Sequence, residues 1–250
     1  MASVQEHYDA HLGPIYGWMI GDFDVAKEAA RDDLRSAGVV NGIGRFAIDL
    51  GSGLGQHSIA LAEAGYSVIA IDACAPLVDK LRHRADGRFA IRCIHDDLLN
   101  VGKHCRAGAE VITCMGDTLT HLPSLSAVEQ LFESIAEILT PDGVFIATFR
   151  DYSVVPASDG ARFIPVRRDD ERILTCVLEY SERNVLVHDL LHERTADGWS
   201  FRVSGYTKLR LSPSWLQSLS NRLGLVATVD AARNGMVRLK VRGTPCAHSG

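Results

Sequence analysis

The 250-residue chain has no excess of positive charge: 26 lysines and arginines stand against 31 aspartates and glutamates, a formal net charge of -5. Binding to nucleic acid ordinarily needs a basic stripe. Here the pair Arg167-Arg168 is answered at once by Asp169-Asp170-Glu171, so no nucleic-acid partner is expected. No apolar run approaches the roughly 18 residues that cross a bilayer, and no membrane partner is expected. The first residues lack the basic segment of a secretory signal, and Gly13-Pro14 interrupts their apolar stretch. The six cysteines, Cys74, Cys93, Cys105, Cys114, Cys176 and Cys246, have no disulfide-framework or CxxC spacing. A cytoplasmic location is expected. Cys93 with His95 and His104 with Cys105 are not completed into a zinc pattern, so no metal site is expected. Internal repeats and low-complexity linkers are also absent.

What is present is alternation. Near-continuous apolar runs at Arg45–Leu50, Ser67–Ile71, Arg88–Ile94, Ala109–Cys114 and Gly143–Phe149 read as parallel strands covered on both faces. Helical segments lie between them, at Gln56–Ala64, Pro76–Ala85 and Ser126–Leu139. The last has Val128, Leu131, Phe132, Ile135, Ile138 and Leu139 at helical spacing and a capping-box signature in Ser126 and Glu129. Pro141-Asp142-Gly143 is expected to turn the chain into the fifth strand. From about Arg162 to Leu211 alternating segments separated by charged turns predict an antiparallel meander. Ser212 and Pro213 then open a helix that Gly224 ends, and a closing hairpin turns around Ala231–Gly235. The fold class expected is α/β: a doubly wound, mainly parallel seven-stranded sheet with a small antiparallel β insertion. The chain divides into an N-terminal helical cap (1–43), a core (44–150), the β insertion (153–211) and a closing helix and hairpin (212–250), all within a single domain.

The run Asp49-Leu50-Gly51-Ser52-Gly53-Leu54-Gly55 follows the first strand and opens a helix. Its glycines permit a tight turn against a ligand, and the helix start behind them presents free N–H groups. Gln56 stands where a dinucleotide fingerprint would carry its last glycine. Asp72 ends the second strand, where a carboxylate can accept both hydroxyls of a ribose. This segment resembles class I S-adenosylmethionine-dependent methyltransferases. The resemblance implies S-adenosyl-L-methionine as cofactor, with S-adenosyl-L-homocysteine as product. The residues it would place around the cofactor are Asp49, Gly51, Ser52, Gly53, Gly55, Asp72 and Ala73, with Asp96, Asp97 and Leu98 beside the adenine.

Within that class, Cys114-Met115-Gly116-Asp117-Thr118-Leu119-Thr120-His121-Leu122-Pro123 is similar to the matching stretch of glycine N-methyltransferases. So are Thr148-Phe149-Arg150-Asp151-Tyr152, Gly205–Ser212 and Trp18-Met19-Ile20-Gly21-Asp22. The likeness implies that Met115 lines the cofactor site, that His121 lies close to it, and that Arg150 meets a substrate carboxylate. Asp117, His121 and Arg150 are therefore the candidate catalytic residues. Tyr8, Tyr16 and Tyr152, with Asp117 and Arg150, are the candidate acceptor-binding residues. Two departures count against glycine as the acceptor: Asp117 replaces an asparagine, and Leu190 and Val166 occupy the neighbourhood where tyrosines are expected. The expected activity is methyl transfer to a small molecule at nitrogen of an amine, amino-acid-like or specialised metabolite. O-methylation, a non-catalytic S-adenosylmethionine-binding module and an NAD-dependent oxidoreductase are the rivals. The sequence is compatible with a homo-oligomer.

Overall fold

Strand β1 (Phe46–Leu50) is buried over nearly its whole length and lies at the centre of the computed structural model, which describes residues 3–243. Cys246 falls outside the described residues. After β1 come β2 (Ser67–Asp72), β3 (Ile91–His95), β4 (Ala109–Cys114) and β5 (Leu139–Phe149). The meander strands are β6 (Phe163–Arg168), β7 (Arg172–Tyr180), β8 (Asn184–Thr195) and β9 (Gly198–Leu209). The hairpin strands are β10 (Leu225–Ala231) and β11 (Val237–Gly243). One sheet has seven strands in the order β10-β11-β5-β4-β1-β2-β3, with β1 to β5 mutually parallel and β11 antiparallel to both neighbours. The other is the antiparallel four-stranded sheet β6-β7-β8-β9.

The helices follow from the apolar spacing. N-terminal α1 (Val4–His7) and α2 (Tyr16–Ile20) are joined by a widened π-helical turn (Tyr8–Leu12) and a tight 3-10 turn (Gly13–Ile15), and α3 (Phe23–Ser36) is capped by Asp22. Crossovers are made by α4 (Gln56–Glu63), α5 (Ala75–Ala85), the short α6 (Val101–His104) and α7 (Leu125–Ile138). The buried face of α7, with Val128, Leu131, Phe132, Ile135 and Ile138, joins Ile48, Leu50, Ile112 and Phe145 in the main core. Helix α8 (Pro213–Arg222) starts as expected at Ser212, whose hydroxyl accepts from Trp215 N–H.

Two local expectations are corrected. Helix α7 begins two residues earlier than the capping box places it. Ser124 is the cap and accepts from Ala127 N–H at 3.1 Å, while the Ser126 hydroxyl bonds that of Ser124 and Glu129 pairs with Arg222. Two serines offer the same capping chemistry, and spacing alone does not choose between them. Strand β5 begins at Leu139 rather than Gly143: Leu139 pairs with Ala109 and Val144 with Val111, so residues 140–143 bulge out of the ladder. Pro141 has no N–H to give to that ladder, which accounts for the bulge.

No helix of the described residues is long and apolar enough to cross a membrane. His95 bonds the Ala73 carbonyl and His104 bonds Asp96, so each histidine of the two Cys/His pairs has a protein partner.

Candidate functional site

A crevice opens at the carboxyl ends of β1, β2 and β4, where the chain leaves β1 to build the sheet in both directions. Such switch points are where open α/β sheets bind ligands. Gly51 and Ser52 N–H both donate to the Ile71 carbonyl, and Gly53 N–H donates to Asp72 Oδ2 at 2.7 Å. The other Asp72 oxygen accepts from Cys74 N–H at 2.8 Å. Burial holds the Asp72 pKa above the ordinary carboxylate range, against these two N–H bonds. Its remaining lone pairs face the crevice.

Glycine is required here by space as well as by backbone. A Cβ on Gly51, at φ +68°, would meet Thr118 Cγ2 at 2.5 Å, and one on Gly55, at φ +86°, would meet Leu81 Cδ1 at 2.0 Å. The first glycine keeps the crevice floor open, and the second lets α4 pack on α5.

The mouth is covered by the N-terminal segment. Val4, Gln5, Tyr8 and Tyr16 line it, and Gln5 Nε2 donates to the Ala73 carbonyl at 2.7 Å. Beyond them stands His121, ring centroids 5.7 Å from Tyr8 and 5.6 Å from Tyr206. Its Nε2 is buried without a partner. Burial first, and the nearby Lys208 charge second, push the His121 pKa down to about 3, so the imidazole is neutral at ordinary pH.

Asp117 is held differently from Asp72. It sits in the left-handed region, φ 76°, at the turn after β4, pinned by its N–H to the Thr148 carbonyl. Its carboxylate accepts from Lys208 Nζ at 2.5 Å, Tyr152 hydroxyl at 3.0 Å and Arg150 N–H at 2.9 Å. Burial raises its pKa, but the Lys208 charge and the hydrogen bonds from Lys208 and Arg150 N–H oppose burial, and the net shift is downward. Asp117 is therefore favoured as a carboxylate, with its oxygens taken up by three protein donors. A second buried network lies alongside: His7 bonds Asp189 at 2.9 Å and Ser204 at 2.7 Å, stacks on Tyr206 at 4.1 Å, and Cys176 donates to the same Asp189.

Of the residues the sequence proposed, Tyr8, Tyr16, Gly51, Gly53, Asp72, Ala73, Asp97, Leu98 and His121 line the crevice. Asp49 does not: it is buried under the loop, held by Ser58 and Thr113, and burial raises its pKa to about 6. Asp96 accepts from Asn100, His104 and its own loop, leaving Asp97, which caps the turn at Leu98, at the crevice wall. Ser52 and Gly55 shape the loop from behind. Met115 packs on the far face of the sheet with Ala30, Leu34 and Ile146, and Gly116 and Thr118 take its expected place. The Arg150 guanidinium has no ion pair among the described residues and approaches Gly235, away from the crevice lining. Tyr152 is buried and serves Asp117. Leu190 and Val166 do not face the crevice either: Leu190 lies opposite Val203 on the outer surface of the meander, and Val166 is exposed.

Sequence reasoning missed Lys208, Tyr206, His7 and Asp189. The signal for Lys208 was there: Ser204, Tyr206 and Lys208 share the inward face of β9, and a lysine on a buried face needs a counter-charge.

The donor set fits an adenosyl sulfonium group: a glycine floor closed by any Cβ, a carboxylate at the end of β2 with free lone pairs, and an unpaired imidazole at the far end. A model of a methyltransferase domain matches residues 47–143. A glycine/sarcosine N-methyltransferase of Aphanothece halophytica is 29% identical over 109 residues, 43% of this chain and 41% of its own. The matched part thus spans about two fifths of that relative. Among solved structures, the CcbJ methyltransferase of Streptomyces caelestis superposes with a TM-score of 0.70 at 19% identity, over 90% of this chain and 98% of that one. An amino pentose methyltransferase from Micromonospora echinaspora, solved with S-adenosylmethionine bound, gives 0.67 at 16% identity, over 88% and 91%. The loop after β1, the carboxylate closing β2 and the match across residues 47–143 make this part of the chain similar to a methyltransferase domain, on a fold shared with S-adenosylmethionine-dependent methyltransferases.

Proposed function

We propose that this protein transfers a methyl group from S-adenosylmethionine to the nitrogen of a small-molecule amine. S-adenosylmethionine supplies a sulfonium methyl that is already activated, so the protein's own work is to position, to desolvate and to choose a protonation state. Gly51, Gly53, Asp72, Asp97 and Leu98 would hold the adenosyl end. Tyr8, His121 and Tyr206 would form the wall that meets the acceptor.

The observation that carries this reading is the charge state of that wall. An amine attacks only through its free lone pair, and an unpaired carboxylate nearby would favour the ammonium form. Asp117 is neutralised by Lys208 in direct contact, and His121 stays neutral with an unpaired Nε2. The wall therefore favours the uncharged amine and leaves one imidazole nitrogen, His121 Nε2, unpaired to orient it. Because Arg150 points towards Gly235, the wall has no built partner for a substrate carboxylate among the described residues. Glycine itself is not expected as the acceptor, although the curated relatives are named for it; an aminosugar or another amine without a neighbouring carboxylate is.

The test is incubation with methyl-labelled S-adenosylmethionine and a panel of glycine, sarcosine, simple amines, aminosugars and matched alcohols. Label on the nitrogen of carboxylate-free amines is the expected result. Label only on hydroxyl groups, or no product despite S-adenosylhomocysteine binding, would overturn the nitrogen assignment or the catalytic one respectively.

A further inference from the structure

The inner face of the four-stranded sheet carries one polar row in an apolar surface. Cys176 of β7, Asp189 of β8 and Ser204 of β9 stand directly opposite one another across the three strands. The neighbouring rows are Leu178, Val187 and Tyr206 on one side and Leu174 with Leu191 on the other. Asp189 is 1% exposed, and a carboxylate buried in such a face needs hydrogen-bonding partners. The Cys176 thiol supplies one at 2.6 Å. The other is His7, 182 residues away in the chain and itself fully buried. Its Nε2 meets Asp189 at 2.9 Å while its Nδ1 meets Ser204 Oγ at 2.7 Å. His7 belongs to a helix of four residues, too short to hold its place by its own hydrogen bonds. The polar row therefore fixes where the N-terminal segment lies on the sheet. A buried polar pair is often no more stabilising than a well-packed apolar one, and its distinctive use is to fix register.

We infer that Asp189 and His7 are positioning residues for methyl transfer, an inference that rests on the acceptor wall proposed above. Neither lines the crevice; they act through the rings that His7 touches. Tyr8, the next residue, lines the crevice with its ring centroid 6.0 Å from that of His7 and 5.7 Å from that of His121. Tyr206 lies between the two imidazoles, stacked on His7 at 4.1 Å and meeting His121 edge-on at 5.6 Å. One buried ring thus sets both aromatic neighbours of His121, Tyr8 beside it and Tyr206 behind it. The donor end is held otherwise, by the Ile71 carbonyl and Asp72 gripping the glycine loop. Loss of the contact between His7 and Asp189 should therefore disturb the approach of the acceptor and leave donor binding nearly intact. A misplacement of about 1 Å at such a wall can cost roughly 100-fold in rate.

The experiment uses the full chain with saturating S-adenosylmethionine and an amine that the parent methylates. Both kcat and KM are read beside S-adenosylhomocysteine affinity and the urea midpoint of unfolding. His7→Leu strands the Asp189 carboxylate and should lower the midpoint and reduce kcat roughly 30- to 100-fold. Adding Asp189→Val replaces the polar contact by an apolar one; the midpoint should return close to the parent's while kcat stays depressed. Asp189→Asn keeps an oxygen for His7 and should hold kcat within about fivefold of the parent. In all three variants S-adenosylhomocysteine affinity should stay within about fivefold, the worth of one hydrogen bond such as that of Gln5 to Ala73. A double variant whose rate returns with its stability overturns the inference, since the contact is then structural only; so does His7→Leu with an unchanged kcat. An Asp189→Asn variant as slow as His7→Leu, or a loss of S-adenosylhomocysteine affinity as large as the loss of rate, overturns it too. A parent that binds S-adenosylhomocysteine yet methylates no amine overturns the acceptor reading before any variant is compared, and this inference with it.

Discussion

The two ends of the crevice are made of different material. The end that would hold the adenosyl group is built from main chain: glycine N–H groups, the Ile71 carbonyl and one carboxylate, Asp72, whose protein partners are two backbone N–H groups. The end that would meet the acceptor is lined by side chains brought from distant parts of the chain, Tyr8 from the N-terminal segment and His121 from the turn after β4, with Tyr206 and Lys208 of β9 buried behind them. The contrast is sharpest between the two aspartates. Asp72 keeps lone pairs free for a ligand, whereas Asp117 spends its own on Lys208, Tyr152 and Arg150 N–H. Backbone can bind a common group in any member of a fold, while side chains from remote segments can be exchanged to fit a particular acceptor.

The largest effect expected from disturbing this contrast lies at the acceptor end. Lys208→Met leaves the Asp117 charge buried without its partner and should cost about 3–5 kcal/mol of stability. Adding Asp117→Asn should recover most of it. Urea unfolding of the two single variants and the double variant reads the coupling; additive losses would show that the pair does not act as a unit. At the donor end, Asp72→Ala should weaken S-adenosylhomocysteine binding roughly 10- to 100-fold, the range for hydrogen bonds to a charged group. Calorimetry measures it, and an affinity within threefold of the parent would remove Asp72 from the site.

His121 separates the two ends. His121→Phe should lower kcat/KM for the amine about 10-fold, roughly 1.4 kcal/mol, with donor affinity unchanged. It should also alter acid stability. The unfolded chain takes up a proton at this histidine below pH 6.5, and the folded one resists until about pH 3. Stability from this group is therefore intact above pH 6.5 and falls as pH drops from 6.5 towards 3. The phenylalanine variant should show a shallower loss across that window. The smallest effect is expected at the lid. Gln5→Ala removes one hydrogen bond to Ala73, worth about 1 kcal/mol, and should quicken S-adenosylhomocysteine release by a few fold in stopped-flow displacement.

The mainly parallel sheet, the positions of β1, β2 and β4, the glycine loop and Asp72 were legible because they rest on apolar periodicity and on backbone geometry that only glycine adopts. Both are local properties of consecutive residues. The start of α7 was not legible, since Ser124 and Ser126 are chemically equal caps, nor was the bulge before Val144, which depends on pairing with β4. Asp49, Met115 and Arg150 were assigned to the site by motif position; the structure turns the first two into the core and the third towards Gly235. Position along a strand end does not fix which way a side chain faces once neighbours compete for the space.

Sequence alone determined the architecture and the donor end, because strand periodicity, glycine at positive φ and a carboxylate closing a strand are written in contiguous residues. Only the tertiary structure decided the acceptor end and the outer face of the meander. There the deciding facts are which of two aspartates meets a lysine some ninety residues away in the chain, and which alternate residues of β9 turn to water. Both are set by packing between elements, where burial and pairing of charge outweigh any local preference.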